Sequence, residues 1–305
     1  MKKAMLSFMA IVSVVVGGFA HGARAADIVE LWATNQSGPT SWHRHALNPF
    51  NPSTFDDISF ADPGSITLGF GGIVYVANHA GRLERHDINA AAGSTFVNSY
   101  NLPANTGEAG LEIGSDGNLY AITKGGSTHT VAKLNATTGT VLDSSFASWS
   151  TTSSADLAWG PNGHLYVSDT GSNLVRHFDG SGNAVDSTSV NNPRGLTFRR
   201  NGKLYVAAKA DGEVKSFELD NSGSLVNGTT FLTLGNVRAI DFNPIDNHAF
   251  AVDVSNIVEF NASGDLIGVV TTDAHQRIQL LITPEPSTMA LLALGGLMVL
   301  KRRRR

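Results

Sequence analysis

One short phrase recurs along this chain: Gly72-Ile-Val-Tyr75-Val, Gly117-Asn-Leu-Tyr120-Ala, Gly163-His-Leu-Tyr166-Val, Gly202-Lys-Leu-Tyr205-Val and, more loosely, Asn247-His-Ala-Phe250-Ala. Its aromatic positions are spaced by 45, 46, 39 and 45 residues. Each unit reads in the same order, best seen in the fourth. An apolar strand at Gly195 to Phe198 is followed by a turn at Arg200 to Gly202 and a second strand from Leu204 to Ala208. A third strand, Val214 to Leu219, follows Asp211-Gly212, and a fourth follows Asn221 to Gly223. The Asn-Gly and Asp-Gly pairs supply the positive φ that tight hairpins require, so each unit is a four-stranded antiparallel sheet.

Sheets of this kind recurring every 40 to 45 residues stack as blades, which makes the chain an all-β propeller. Five units are complete. Three strands at Ile28 to Asn35, Trp42 to Asn48 and Thr54 to Phe60 remain at one end, and one strand at Gln276 to Ile282 at the other. Together they predict a sixth blade with the C-terminal strand innermost, because pairing the two termini removes sheet edges that would otherwise invite aggregation.

Both ends carry targeting signals. Lys2 and Lys3, an apolar stretch from Ala4 to Ala20, and Ala23-Arg24-Ala25 have the layout of a secretory signal peptide cleaved near Ala25/Ala26. At the other end Pro284-Glu285-Pro286-Ser287 precedes an apolar run from Met289 to Leu300, which stops at Lys301 to Arg305. Five cations resist crossing a bilayer and hold the C-terminus inside. The apolar run is shorter than the roughly 20 residues of a full span, so Ser287 and Thr288 must extend it. Triplet, greasy segment and basic cluster, in that order, resemble the PEP-CTERM sorting signal. The resemblance implies an exosortase-type membrane enzyme as partner, delivery to the cell surface or extracellular matrix, and a transient or permanent C-terminal membrane anchor. The organisation expected is signal peptide 1–25, propeller 26–283 and sorting signal 284–305.

Formal charge is −4 overall, but the ends are basic, and removing them leaves a body of about −11. Such a body repels phosphate backbones, which argues against a nucleic-acid partner. Cysteine is absent from an exported chain, so the core must hold the fold without disulfides, and thiol catalysis and thiolate metal sites are excluded.

The unit from Gly160 to Asp179 resembles an NHL repeat, and looser versions cover roughly Pro63 to Thr272. Asp169 is expected to shape the turn after its second strand, with counterparts at Asn78, Thr123, Lys209 and Asp253. Six-bladed relatives include calcium- or zinc-dependent lactonases, whose acidic and amide ligands project into the central channel. Counting eleven residues back from each aromatic anchor reaches Gly64, Ala109, Ala155, Arg194 and Ala239, none of which suits a hard cation. Shifting by one or two residues recovers Glu108, Asp156 and Asn192 as the ligand set of that reading. His43 and His45 alternate on one strand face, but no HExxH, Gly-x-Ser-x-Gly or Walker-type pattern occurs. Arg194 and Arg238 share a repeat position at the channel mouth, where guanidinium forks would suit a planar anion. The leading expectation is a monomeric, non-enzymatic, cofactor-free binding or scaffold module for an extracellular polysaccharide or a surface protein. The rival is a metal-dependent lactonase-like hydrolase or lyase.

Overall fold

The computed structural model describes residues 27–284, except 36–40, 48–49, 60–62, 70, 79, 88–89, 91–94, 104–109, 254–255 and 272–274, with side chains described between residues 64 and 270 and at Ile278. Residues 29–281 form one compact unit. The expected signal peptide, Glu285, Pro286 and the hydrophobic tail lie outside the described residues. All described regular structure is strand, and no described helix is long and apolar enough to cross a membrane.

Four-stranded antiparallel blades follow one another at 63–101, 111–150, 157–189, 193–233 and 239–271, each with its strands in chain order. A further four-stranded sheet places His275–Pro284 at one edge, then Asp27–Asn35, Ser41–Leu47 and Phe50–Ser59. Six blades were expected, and five are built from continuous chain. The remaining sheet is pieced together from both ends of the body and has no repeat unit of its own.

Turn chemistry explains why the phrase recurs. Gly117, Gly163 and Gly202 adopt φ of 77°, 74° and 78°, and their amides bond back to Gly114, Gly160 and Arg199 at 2.9 to 3.0 Å. The Asx residue before each glycine accepts the amide two residues on: Asp116 from Asn118, Asn162 from His164, and Asn201 from Lys203. The same side chains then reach the anchor hydroxyls. Tyr120 donates to Asp116 at 2.9 Å, while Asn162 and Asn201 donate to Tyr166 and Tyr205 respectively, each at 3.1 Å. One residue therefore closes the hairpin and fixes the aromatic ring above it. In the fifth blade Asn247 takes positive φ in place of glycine, and Phe250 needs no polar partner.

The core lies at the seams between blades. Tyr75 packs with Leu111 and Leu119 of the next blade, Tyr120 with Leu157 and Leu165, Tyr166 with Leu196 and Leu204, and Tyr205 with Ile240 and Phe242. All four rings are at most 3% exposed. Phe250 packs with Ile278 of the C-terminal strand, so the fifth blade meets that strand as the others meet their successors. Hydroxyls stitch two of the seams, Tyr75 to the Ala136 carbonyl at 2.9 Å and Tyr166 to the Gly223 carbonyl at 2.5 Å.

Asp169 does shape its turn. Its fully buried carboxylate accepts from the Ser172 amide at 3.0 Å, from the Thr151 hydroxyl, and from Arg176 Nε and Nη2 at 2.7 and 2.6 Å. Asn78 and Asp253 do the same work elsewhere, accepting from the amides of Arg82 and Asn256.

Candidate ligand site in the channel

The first strand of every blade contributes to one cavity of about 270 Å³, which identifies these strands as the inner ones. Ser65 comes from the first blade, Glu112 from the second, Asp156 and Ala158 from the third, Thr197 from the fourth, Asp241 from the fifth, and Ile278 from the C-terminal strand.

Register relates four of the lining residues to the aromatic anchors. Glu112, Ala158, Thr197 and Asp241 lie directly across the first hairpin from Tyr120, Tyr166, Tyr205 and Phe250. With a period of two, the residue two positions earlier shares that face. It is Gly110, Asp156, Gly195 or Ala239 in successive blades. Neighbouring inner strands approach closely at this level. A Cβ on Gly195 would meet the Ala239 Cα at 2.7 Å, and one on Gly110 would meet Asp156 Oδ1 at 2.6 Å.

Three carboxylates thus share a small space, and their surroundings differ. Asp156 accepts from the Leu196 amide at 3.0 Å, and Asp241 from the Thr197 hydroxyl at 3.2 Å and the Phe242 amide at 2.9 Å. Both acids therefore tie one inner strand to the next or brace their own. Among the described residues Glu112 receives no hydrogen bond and pairs with no cation. Burial above all, then the charges of Asp156 and Asp241, push its carboxyl well above the usual range. No described residue lining the cavity is Lys, Arg or His.

Of the residues picked out from sequence, Asp156 lines the cavity, whereas Asn192, Arg194 and Arg238 do not. Asn192 sits in a turn at φ 50°, held through its backbone by Asn173 and Lys209. Arg194 and Arg238 occupy equivalent positions, and their carbonyls accept from Ser168 Oγ and the Gly195 amide across the seams. Glu108 lies outside the described residues, and nothing is described of the side chains of His43 and His45. Glu112 and Asp241 were missed because the count ran along the chain from the anchor. The signal was present in the pairing: the residues opposite Tyr120, Tyr166, Tyr205 and Phe250 all line the cavity.

A lactonase-like reading implies a calcium or zinc ion. The described donors do not fit one: no group of three His, Cys, Asp or Glu side chains is placed to hold a metal ion. Asp156 and Asp241 are committed to strand amides and a hydroxyl instead.

Residues 283–305 match the PEP-CTERM protein-sorting motif. No curated protein matches the chain in sequence. Among solved structures it is similar to a protein of unknown function from Bacteroides caccae, at 13% identity and a TM-score of 0.66 over 83% of this chain and 99% of that one. A gluconolactonase from Xanthomonas campestris is similar at 14% identity, with a TM-score of 0.62 over 83% and 94% of the two chains. The virginiamycin B lyase of Staphylococcus aureus matches at 14% identity and a TM-score of 0.51, over 85% and 75%. These likenesses establish the fold and leave the activity open. The chain is an all-β propeller, of the shape shared by lactonase and streptogramin-lyase propellers, that carries a PEP-CTERM sorting motif at its C-terminus.

Proposed function

We propose that this is an exported surface or matrix protein whose propeller, residues 26–283, is a binding module that admits part of a glycan or protein ligand into its channel. In this reading residues 1–25 are a signal peptide, and an exosortase-type enzyme processes the tail at Pro284-Glu285-Pro286. The sorting-motif match supports the route. The sheet made from both termini acts as a sixth blade with His275–Pro284 innermost. Ile278 supports this, since it lines the cavity and packs against Phe250.

The observation that carries the binding reading is the cavity itself: all five blades feed it, and it offers carboxylates and hydroxyls without a described cation. Such a lining recognises hydrogen-bond donors and disfavours anions. Arg194 and Arg238, outside that lining, are left as a secondary contact for groups at the channel mouth. Thermal unfolding of the purified protein against a panel of glycans tests the reading. A ligand at a hundred times its dissociation constant stabilises by about 2.7 kcal/mol, which raises the midpoint by roughly 5 °C or more.

A metal-dependent hydrolase or lyase is the second reading, supported by the lactonase-like fold and by Asp156 in the channel, with Glu108 and Asn192 as its other sequence candidates. It predicts that calcium or zinc raises the midpoint and that chelator abolishes hydrolysis of a lactone. Metal-dependent turnover would sink the binding reading.

A further inference from the structure

We propose that one end of the propeller docks on a membrane, seating Ile245, Leu266 and Ile267 of the fifth blade in a zwitterionic lipid interface while the C-terminal tail is attached. The inference goes beyond ligand binding and rests on the reading of the tail as a membrane segment.

Strand pairing puts these residues at one end of their blade. Phe242, Ala249, Phe260 and Leu266 stand opposite one another across the four strands, and the turn that carries Ile245 joins the first two of them. This is the hairpin end, where the first strand turns into the second and the third into the fourth. Ala239, Val252, Ile257 and Thr271 form the matching row at the far end. Ile245, Leu266 and Ile267 are 48%, 67% and 50% exposed, so three large apolar side chains of one blade face outwards here. Arg199 of the preceding blade braces them, donating to the carbonyls of Asn247 and Ala262 at 3.1 and 3.0 Å. The patch is thus presented on a fixed frame.

Exposure alone names no occupant, but the course of the chain does. Leu266–Thr271 stops at the far end, and three residues separate it from His275–Pro284. Ile278 then packs with Phe250, which lies nearer the hairpin end than Val252 does. The last strand therefore runs from the far end towards the hairpin end and leads the chain out there. Only Glu285 to Thr288 come between Pro284 and the apolar run that begins at Met289. Five Cα steps reach at most about 18 Å, so a bilayer that holds this run meets the hairpin end and no other. Such a tether keeps the local concentration of lipid high, and a patch too small to bind vesicles from solution suffices beside it. Exposed charges of both signs border the patch, Arg200 against Asp246 and Asp265, which suits a zwitterionic surface better than a strongly charged one.

The chain has no cysteine, so single labels test this directly. Full-length protein carrying Ile245→Cys, Leu266→Cys or Ser127→Cys is labelled with an environment-sensitive fluorophore and reconstituted into phosphatidylcholine vesicles containing brominated lipid. Ser127 follows the Gly125 and Thr128 pair at the far end of the second blade and serves as the control. In floated vesicles the labels at 245 and 266 are expected to shift to the blue and lose most of their emission, and the label at 127 to do neither. Adding Ile267→Asp to the Ile245→Cys protein should restore emission without releasing the protein from the vesicles. Floated protein with no quenching at 245 and 266, or with equal quenching at 127, would overturn the docking while leaving the tail as a membrane segment. Labels that quench one another, and not with brominated lipid, would overturn it in favour of a second copy of the chain. Protein that does not float with the vesicles would overturn the reading of the tail and the docking with it. None of these outcomes alters the response to glycans, which tests the binding reading separately.

Discussion

His164 Nδ1 lies 2.7 Å from His177 Nε2, with the two rings stacked at 5.0 Å, so a single hydrogen is shared between two imidazoles. The rest of the chain fixes where that hydrogen belongs. His177 Nδ1 is 2.9 Å from Asp186, whose carboxylate only accepts, so Nδ1 carries a proton and Nε2 accepts from His164. Asp186 also accepts from the Ser224 hydroxyl in the following blade, which carries the chain across the seam.

A proton added to His177 Nε2 would set two N–H groups against each other. Burial first, offset in part by Asp186, holds the His177 pKa below its ordinary 6.5. His86 and His129 are lowered as well, again chiefly by burial. A base whose folded pKa is depressed gives the fold stability that is complete above 6.5 and is lost as pH falls below it. The melting midpoint should therefore fall between pH 7 and pH 5, and fall less in His177→Phe, which keeps the stack on Tyr166. Identical pH slopes in the two proteins would remove His177 as a contributor.

Asp169→Asn leaves the Arg176 guanidinium without its counter-charge in a buried turn. Breaking one side of such a pair costs about 3–5 kcal/mol, readable from urea unfolding. Replacing Arg176 with Met in the same protein should recover part of the loss. No recovery would mean that the Ser172 and Thr151 bonds, and not the ion pair, hold the turn.

Tyr166→Phe removes the hydroxyl that donates to Gly223 across a seam and should cost about 1 kcal/mol. Burial pushes the pKa of this phenol up to about 12, so the loss should be the same at pH 7 and pH 9. Tyr205→Phe should cost less, because among the described residues that hydroxyl meets only Asn201 and, at 3.5 Å, Arg199. Chemical denaturation of the two variants side by side decides the order.

Gly195→Ala pushes a methyl against the backbone of Ala239, where no side chain can move aside. Overpacking of this kind costs about 1–3 kcal/mol. Glu112→Gln should act in the opposite direction at neutral pH, raising the midpoint by about 2–4 °C, the shift that 1 kcal/mol gives in a domain of this size. Glu112 has a raised folded pKa, so its ionised form weighs against the fold as pH rises above the ordinary carboxylic range. The gain from the substitution should therefore shrink towards pH 4.5. A gain independent of pH would mean that Glu112 titrates in the fold as it does in the unfolded chain.

The sequence by itself determined the all-β repeat, the hairpin turns and the anchors, because these are local. An Asx-Gly pair sets its own φ and reaches its own tyrosine, and strand alternation needs no knowledge of distant chain. It also carried the sorting motif, which is a linear signal read by another protein. Only the tertiary structure decided which acids share a space. Glu112, Asp156 and Asp241 come from three blades and are far apart in the chain, and a count along the backbone reached Asp156 but passed over the other two. The register across each first hairpin brings them to one cavity, and closure of the blades around it leaves Glu112, of the three, without a described partner. Arg194 and Arg238 are the converse case: equal positions in the repeat suggested a shared site, yet the structure turns their carbonyls to the seams and leaves their side chains off the cavity wall. Side-chain direction, and with it the chemistry of the channel, depends on long-range pairing that no local pattern encodes.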